Sequence, residues 1–363
     1  MLKKIGSQRR GVSLSSYGLV VGLVAIVALT AISSIGSSVD QNFQRVGTVI
    51  EGAITGEAGD SASSPEATPA QSPIFSFTSH TFTSCGQTAR SGPSEANCES
   101  SYSSTSWASD DAIFNVVSGV QTFVIPATGT YSIEAAGAEG GEPNNPNSGR
   151  TAGAGRIIEA DFDLTVGTTV SIVVGQRGAL NSSGNWANGG GGGGGGSFVF
   201  IGGDTQPLVA AGGGGGLSIH NVSGGNTSGN TDGRDGNTGE AGLPARNLDP
   251  VHGTGGASAS DDGGKGWNEM RTGGFDGING KGYGQQGGFG GGGGARDSAY
   301  HAGGGGGGYS GGGGGNYANN TGNGNADGRN GGGGGGSYVG SAGTLTSSSG
   351  TNTGQGFVTL TLQ

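Results

Sequence analysis

Residues with catalytic or metal-binding chemistry are few and far apart in this sequence. The four histidines have no partner at a motif spacing, so each is predicted to be solvated: His80, His220, His252 and His301. The string GYSGG at 308–312 has the form of a nucleophile elbow, but it lies between glycine runs with no helical segment after it. No paired carboxylates or nucleophile–base set stand out, which predicts a non-enzymatic protein without a cofactor or metal.

One short acidic segment has some of the oxygen ligands that calcium prefers. In NTDGRDGN, carboxylate and amide side chains occur at Asp232, Asp235 and Asn237. Arg234 stands where a further ligand would be needed, so a solvated turn is favoured and calcium binding is the alternative. Asp261 and Asp262 are interpreted in the same way.

The two cysteines, Cys85 and Cys98, are close in sequence and follow an apolar N-terminal segment. One disulfide formed in an oxidising compartment is the simplest interpretation, with two reduced, unrelated thiols as the alternative. A bridge that closes so short a loop contributes about 3 kcal/mol in the chain-entropy model.

Aromatic side chains punctuate the glycine-rich part of the chain. In flat, polar surroundings such rings are good anchors for sugars or proteins, whereas packed against glycine runs they would form small cores. Both interpretations stay open for Trp267, Tyr283, Tyr300, Tyr309 and Tyr317.

Composition limits the partners of the chain. The formal net charge is −10, and four of the 16 basic residues lie within the first ten positions. The acidic remainder repels nucleic-acid phosphates, so no nucleic-acid partner is expected. A hydrated domain outside the cytoplasm fits this charge better.

Positions 17–35 form an uncharged apolar run of 19 residues, long enough to span a membrane as a helix. The basic residues before it predict a cytoplasmic N-terminus and an exported C-terminal part. Gly18 and Gly22 form a GxxxG pair, which allows close helix packing in lipid. A cleaved signal peptide, cut near Ala28–Ser33, or a plain signal anchor is the alternative.

Residues 9–50 resemble the Flp (tight-adherence) class of type IV pilins. The resemblance rests on a short basic leader ending in Gly11, on Tyr17, and on the apolar helix that follows. It implies cleavage between Gly11 and Val12 and contact with other pilin subunits. Ser16 stands where the family has Glu, which favours a minor pilin or a permanently anchored protein.

Short strands with turn signals between them follow an acidic, Pro-containing linker. Phe75, Phe77 and Phe82 alternate with polar residues and predict a strand. Further strands are predicted in 114–141, broken at 118–119 and 126–129, and in 155–178 around a turn at 165–168. Shorter ones are expected at 197–201, 207–211, 337–339 and 356–362.

Glycine is the dominant residue, with 89 of 363 positions, and several runs adjoin the predicted strands directly. A disordered chain is one interpretation. The favoured one is ordered packing of extended helices with three residues per turn, which leave no room for a side chain. Gly→Val within 303–308 should then destabilise the domain by more than about 1 kcal/mol.

The strands and glycine runs together resemble the glycine-rich extracellular domain of the anaplastic lymphoma kinase and leukocyte tyrosine kinase receptors, and related bacterial and phage surface proteins. The segments on which this resemblance rests include TGTYSIEAAGAEGG, VSIVVGQRG, GGGGGGSFVFIGGDTQPLVAAGGGGG and GGGGGGSYV. The resemblance implies β-strands framing glycine helices and binding of protein ligands or cell surfaces. No kinase motif is present.

The sequence therefore predicts a mainly β fold with packed polyglycine helices and one N-terminal transmembrane or pilin α-helix. The expected function is a pilin-like structural or adhesive surface subunit; the alternative is an anchored module that binds a ligand but enters no filament. We expect a single-pass inner-membrane protein with an extracytoplasmic C-terminal domain, on the pilus or cell surface if assembled, and a protein or glycan ligand.

The predicted segments are the leader 1–11, the pilin-like helix 12–50, the linker 51–73, a β segment with the disulfide loop 74–113 and the glycine-rich β domain 114–363.

Overall fold

Alternation of apolar and polar residues builds two antiparallel sheets in the computed structural model of this chain. The structure describes residues 73–88, 90–142, 151–179, 190–217, 263–280, 284–295, 303–314, 317–319, 327–329 and 331–363. All of them lie in one compact unit, Pro69–Gln363. The segments predicted as 74–113 and 114–363 are thus parts of the same unit.

The fold is mainly β, with two short helices among the described residues. The helices are α1 (Glu95–Ser101) and α2 (Trp267–Gly273). The strands are β1 (Ser79–Phe82), β2 (Phe114–Val117), β3 (Val120–Val124), β4 (Gly129–Ala136), β5 (Gly155–Leu164), β6 (Thr169–Val173), β7 (Ser197–Ile201), β8 (Val209–Ala211), β9 (Tyr317–Asn319), β10 (Asp327–Arg329), β11 (Tyr338–Val339), β12 (Thr344–Ser347), β13 (Thr351–Asn352) and β14 (Phe357–Leu362).

The strands form two large sheets and a two-stranded ribbon. Sheet A has the order β1-β14-β4-β5-β12, and β13 also pairs with β5. Sheet B has the order β11-β8-β7-β6-β3-β2, and β9 pairs with β10. Turn chemistry fixes the β2–β3 register, because Ser118 and Gly119 both have positive φ, 50° and 80°, as a type I′ turn requires.

The inner faces of sheets A and B share one hydrophobic core, as expected for a sandwich. Residues from both sheets belong to it, including Phe82, Ile133, Ile158 and Val358 of sheet A and Phe123, Ile172 and Val199 of sheet B. A second cluster covers the opposite face of sheet B. It combines Phe198 and Val173 with Trp267 and Met270 of α2.

The glycine runs pack against one another at one end of the sandwich; we call them the glycine bundle. Its described parts are 190–196, 212–216, 290–294, 303–308, 311–314 and 331–336, and all of these glycines are buried except Gly313 and Gly314. The backbone amides donate between runs, as from Gly307 to Gly194 at 2.9 Å and from Gly213 to Gly307 at 2.8 Å. The runs are therefore ordered, and the disordered-chain interpretation is wrong for these residues.

Contacts within the glycine bundle repeat every three residues. A Cβ built on Gly213 or Gly216 would lie 2.3 or 1.9 Å from the carbonyl oxygens of Gly194 and Gly191, themselves three residues apart. Gly212 and Gly215 meet another run in the same way, at Gly335 and Gly332. This spacing agrees with the expected three residues per turn.

Serines join the glycine bundle to the strands. Ser197 is buried where 190–196 becomes β7; its Oγ donates to the Ala136 carbonyl at 2.6 Å and accepts from the Gly175 amide at 2.9 Å. Ser337 occupies the equivalent junction before β11, and its Oγ accepts from the Gly212 amide at 3.0 Å. Each hydroxyl satisfies a backbone group where one hydrogen-bond pattern changes into the other.

Most predicted strands are confirmed, and the differences lie in the first segment and near the C-terminus. The strand expected across Phe75, Phe77 and Phe82 is confined to β1, while Phe75 and Phe77 precede it and pack on Phe123 with ring centroids 5.7 and 5.3 Å away. Both helices and strands β9, β10, β12 and β13 were not predicted. Within the described ranges no helix has the length and apolar character needed to cross a membrane; the predicted span at 17–35 lies outside them.

Candidate functional site

Trp267 is a core residue, so of its two interpretations the small core is correct and the surface-binding anchor is wrong. It is 1% exposed and packs on Phe198 with ring centroids 5.7 Å apart. Its indole Nε1 donates to the Thr205 carbonyl at 2.9 Å. Trp267 and Met270, one turn apart on α2, face sheet B together, so the amphipathic pattern of this helix buries the ring.

Tyr309 lies half-buried at the surface, stacked on Tyr338. The two rings are 4.3 Å apart and only 8° from parallel. The Tyr309 hydroxyl donates to Oε1 of Gln206 at 2.9 Å, and its backbone amide donates to the Gly336 carbonyl at 2.9 Å. We call Tyr309 and Tyr338 the tyrosine pair; stacking and hydrogen bonds hold both rings in one orientation.

Of the other predicted site residues discussed here, Tyr317 lies within the described residues. Tyr317 begins β9, where its backbone lies opposite Arg329 of β10. The remaining predicted residues lie outside the described residues: the pilin positions Gly11, Val12, Ser16, Tyr17, Gly18 and Gly22, the aromatics Tyr283 and Tyr300, the acidic positions Asp232, Asp235, Asn237, Asp261 and Asp262, and His220, His252 and His301.

The predicted disulfide between Cys85 and Cys98 is confirmed. The bond joins the turn after β1 to α1 across 13 positions of sequence, and both residues are buried. Ser94 caps the N-terminus of α1, its Oγ accepting from the Asn97 amide. This segment, predicted as a loop, is a short helix, and a serine followed by an acid at the next position is the helix-start signal in its sequence.

His80 is enclosed by aromatic rings, so its prediction as a solvated histidine is wrong. Phe82, Tyr102 and Trp107 lie edge-on to its ring, with centroids 4.8, 4.6 and 4.8 Å away. Burial lowers the pKa of His80 to about 4, which keeps it neutral near pH 7. The signal for this position is in the sequence: residues two apart on a strand share a face, and Phe82 faces the core.

One ion-pair cluster lies where β4 and β6 continue into glycine-rich backbone. Nη2 of Arg177 is 3.0 Å from Glu139 Oε2 and 3.6 Å from Glu142 Oε2. Burial raises the pKa of Glu139, which is 8% exposed, while Arg177 acts in the opposite direction. The backbone amide of Arg177 also donates to Gln355 Oε1 at 2.9 Å. These contacts tie three chain segments together, a structural role that was not predicted from the sequence.

The described ranges contain no group of three or more His, Cys, Asp or Glu side chains placed to hold a metal ion. Among the described side chains, the tyrosine pair is the candidate site for contact with a partner molecule, because its two rings are held in fixed positions. Aromatic rings held in this way bind by area and stacking.

Comparison with known proteins gives similarity to a receptor over part of the chain. A stretch of 97 residues is 36% identical to the leukocyte tyrosine kinase receptor of the mouse, Mus musculus. The stretch is 27% of this chain and only 11% of the receptor. No protein-family model matches the chain. The glycine-rich resemblance is thus supported over part of the chain, and no comparison supports the pilin-like prediction for residues 9–50.

Proposed function

We propose that this chain is a non-enzymatic cell-surface protein that binds a protein or glycan partner through its glycine-rich β domain. The observation that carries the proposal is the tyrosine pair, which is fixed at the surface by the Gly336 and Gln206 contacts. Preorganised aromatic side chains lose little conformational entropy when a partner covers them. The partial similarity to a receptor supports a role in recognition.

The N-terminal part completes the proposal. Residues 17–35 anchor the chain in the inner membrane, and the domain is displayed outside the cytoplasm. Cleavage after Gly11 makes it a pilin-like subunit that enters a filament with other pilins. The second candidate is a permanently anchored ligand-binding module, which the Ser16 substitution favours.

Adhesion of cells that carry the full chain tests the binding function. We expect deletion of the gene to reduce adhesion to surfaces coated with cell membranes or glycans. The double variant Tyr309→Ser/Tyr338→Ser should reduce it by about tenfold, as expected for loss of a binding hot spot. The control is Val117→Ser, which removes an apolar side chain that is 65% exposed on β2.

Unchanged adhesion in the deletion strain would overturn the binding function itself. If the tyrosine variant adheres as strongly as wild type, the tyrosine pair is not part of the binding site. Sequencing of the mature N-terminus addresses the anchor separately. A start at Val12 and recovery in sheared filaments support the pilin-like subunit, and retention in the membrane fraction supports the second candidate.

A further inference from the structure

An asparagine followed by a glycine lies at the surface beside the glycine bundle. Asn279 is exposed, and its backbone carbonyl oxygen would lie 2.3 Å from a Cβ built on Gly294 of the bundle. The sequence contains four Asn–Gly pairs, and Asn279–Gly280 is the one that falls within the described residues. Because glycine has no Cβ, its backbone nitrogen can approach the side chain of the preceding residue without a steric clash.

Arg90 fixes the side chain of Asn279. Its Nη1 donates to Asn279 Oδ1 at 2.8 Å, and its Nη2 lies 3.5 Å from Oδ2 of Asp276. The backbone joins the same two segments, since the Gly277 amide donates to the Arg90 carbonyl at 2.9 Å. A guanidinium is therefore held against the oxygen of a side-chain amide, where it would stabilise negative charge that develops on that oxygen.

The backbone amide of Gly280 is free to react. It donates no hydrogen bond to any of the described residues, so turning its nitrogen towards the Asn279 side chain breaks no such bond. Asn279 Cγ thus has a nitrogen nucleophile in the next residue and a cation bound at its oxygen. The exposed position also gives water access to the same carbon.

We propose that Asn279 is a self-modification site, at which deamidation replaces the side-chain amide by a carboxylate paired with Arg90. The Gly280 nitrogen gives its proton to water and attacks Asn279 Cγ, which closes a cyclic imide. The bond from Cγ to the amide nitrogen breaks, and that nitrogen takes up a proton and leaves as ammonia. One water molecule then hydrolyses the imide to aspartate or isoaspartate. The protein and water are the only reactants.

Arg90 acts on both sides of this reaction. Before it, Nη1 draws electrons from the amide carbon through Oδ1; after it, the same nitrogen would face a carboxylate, which is a stronger acceptor than an amide. Arg90 then lies between two carboxylates, that of Asp276 and the new one, so its tie to the 276–280 segment strengthens. The modification adds one negative charge and does not depend on the proposed binding function.

Peptide mass spectrometry of the purified full-length chain, sampled over several days near neutral pH, measures this reaction. The readout is the fraction of Asn279 that carries the mass gain of exchanging the amide NH2 for OH. Arg90→Met removes the donors but keeps a long side chain. Asp276→Asn is the matched control, because it removes the other partner of Arg90 and leaves the contact with Asn279 in place.

We expect measurable deamidation at Asn279 in the wild-type chain, a rate at least about threefold lower in Arg90→Met, and no lower rate in Asp276→Asn. Thermal unfolding checks that each variant is folded. Arg90→Lys, which keeps a cation but not the planar fork, should also react more slowly than wild type, so the inference stays testable if Arg90→Met does not fold.

Three results would overturn the inference. If Arg90 only restrained the segment, its loss would speed the reaction at Asn279 instead of slowing it. Equal slowing in Arg90→Met and Asp276→Asn would show that the order of the segment matters and the contact with Oδ1 does not. The third is reaction at the other three Asn–Gly pairs of the sequence with none at Asn279.

Discussion

At the scale of single residues, His80 and Glu139 show two solutions to burial of a titratable group. His80 is surrounded by aromatic rings, so it stays neutral and its pKa falls to about 4. Glu139 has Arg177 at 3.0 Å, which offsets part of the cost of burying its charge. The first side chain makes stability depend on pH, and the second joins segments of the glycine-rich backbone.

The surroundings of His80 predict acid destabilisation. An unfolded chain takes up the His80 proton below about pH 6.5, whereas the folded chain resists it until about pH 4. The stability contribution is therefore present above pH 6.5 and is lost as the pH falls towards 4. After allowance for partial solvent exposure of the ring, we expect a loss of about 1–2 kcal/mol.

Urea denaturation of wild type and His80→Phe at pH 7 and pH 5 measures this effect. The variant keeps an aromatic ring among Phe82, Tyr102 and Trp107 but cannot take up a proton. Its midpoint should fall less than that of wild type between the two pH values. Equal falls in both proteins would show that other groups cause the acid sensitivity.

At the scale of elements, glycine runs replace the strands where backbone packs against backbone with no side chain between them. Several runs adjoin strands: 190–196 leads into β7 and 212–216 follows β8. Within the bundle, backbone carbonyls lie where a side chain would have to be, so only glycine fits. Ordering glycine costs much conformational entropy, and the hydrogen bonds between runs offset that cost. The runs are structural elements with their own geometry.

Substitution within a run should therefore be costly in a way that depends on position. A Cβ on Gly306 would lie 2.1 Å from the Gly213 carbonyl oxygen, whereas one on Gly202 meets nothing within 4 Å. We expect Gly306→Ala to lower the free energy of unfolding by more than about 1 kcal/mol and Gly202→Ala to change it by no more than about 0.5 kcal/mol. Thermal or urea unfolding measures both. Equal stabilities of the two variants would be incompatible with close packing of the runs.

At the scale of the whole molecule, the glycine bundle and the sandwich are one continuous structure. β6 and β7 pair up to Val173 and Phe198, and the backbone beyond each strand enters the bundle. The Gln176 amide then donates to the Phe289 carbonyl at 2.8 Å, and the Gly195 amide to the Gln176 carbonyl at 2.9 Å. Strain or loosening in the bundle would be transmitted directly to the strands.

This continuity predicts that glycine amides exchange slowly with solvent deuterium. Amides of Gly194, Gly213 and Gly307 donate between buried runs, so peptides covering them should be protected about as strongly as peptides from β4 and β5. The exposed turn at 202–203 supplies the fast-exchanging control. Rapid exchange throughout the runs, with protection confined to the strands, would show that the bundle opens independently. Hydrogen exchange followed by mass spectrometry makes this measurement.

Local patterns in the sequence were sufficient to predict most strands, their turns, the disulfide and the ordered packing of the glycine runs. The β2–β3 turn needed only Ser118-Gly119, and β5 and β6 followed from alternation around 165–168, because these signals act over a few neighbouring residues. The helices α1 and α2 are seven residues long and their stability depends on the disulfide and on packing against sheet B, so their sequences carry weak signals.

Side-chain surroundings were decided only by the tertiary structure. Trp267 and Tyr309 look alike in sequence, since both stand beside glycine-rich segments. Trp267 is nevertheless buried between α2 and sheet B, whereas Tyr309 lies half-buried at the surface. Sheet A likewise depends on pairing between β1, β4, β5, β12 and β14, whose paired residues are up to 282 positions apart. Alternation and the placement of the glycine runs predicted a mainly β, glycine-packed domain because backbone geometry is local. Which side chains meet depends on how distant strands align, and that is settled only when the two sheets pack.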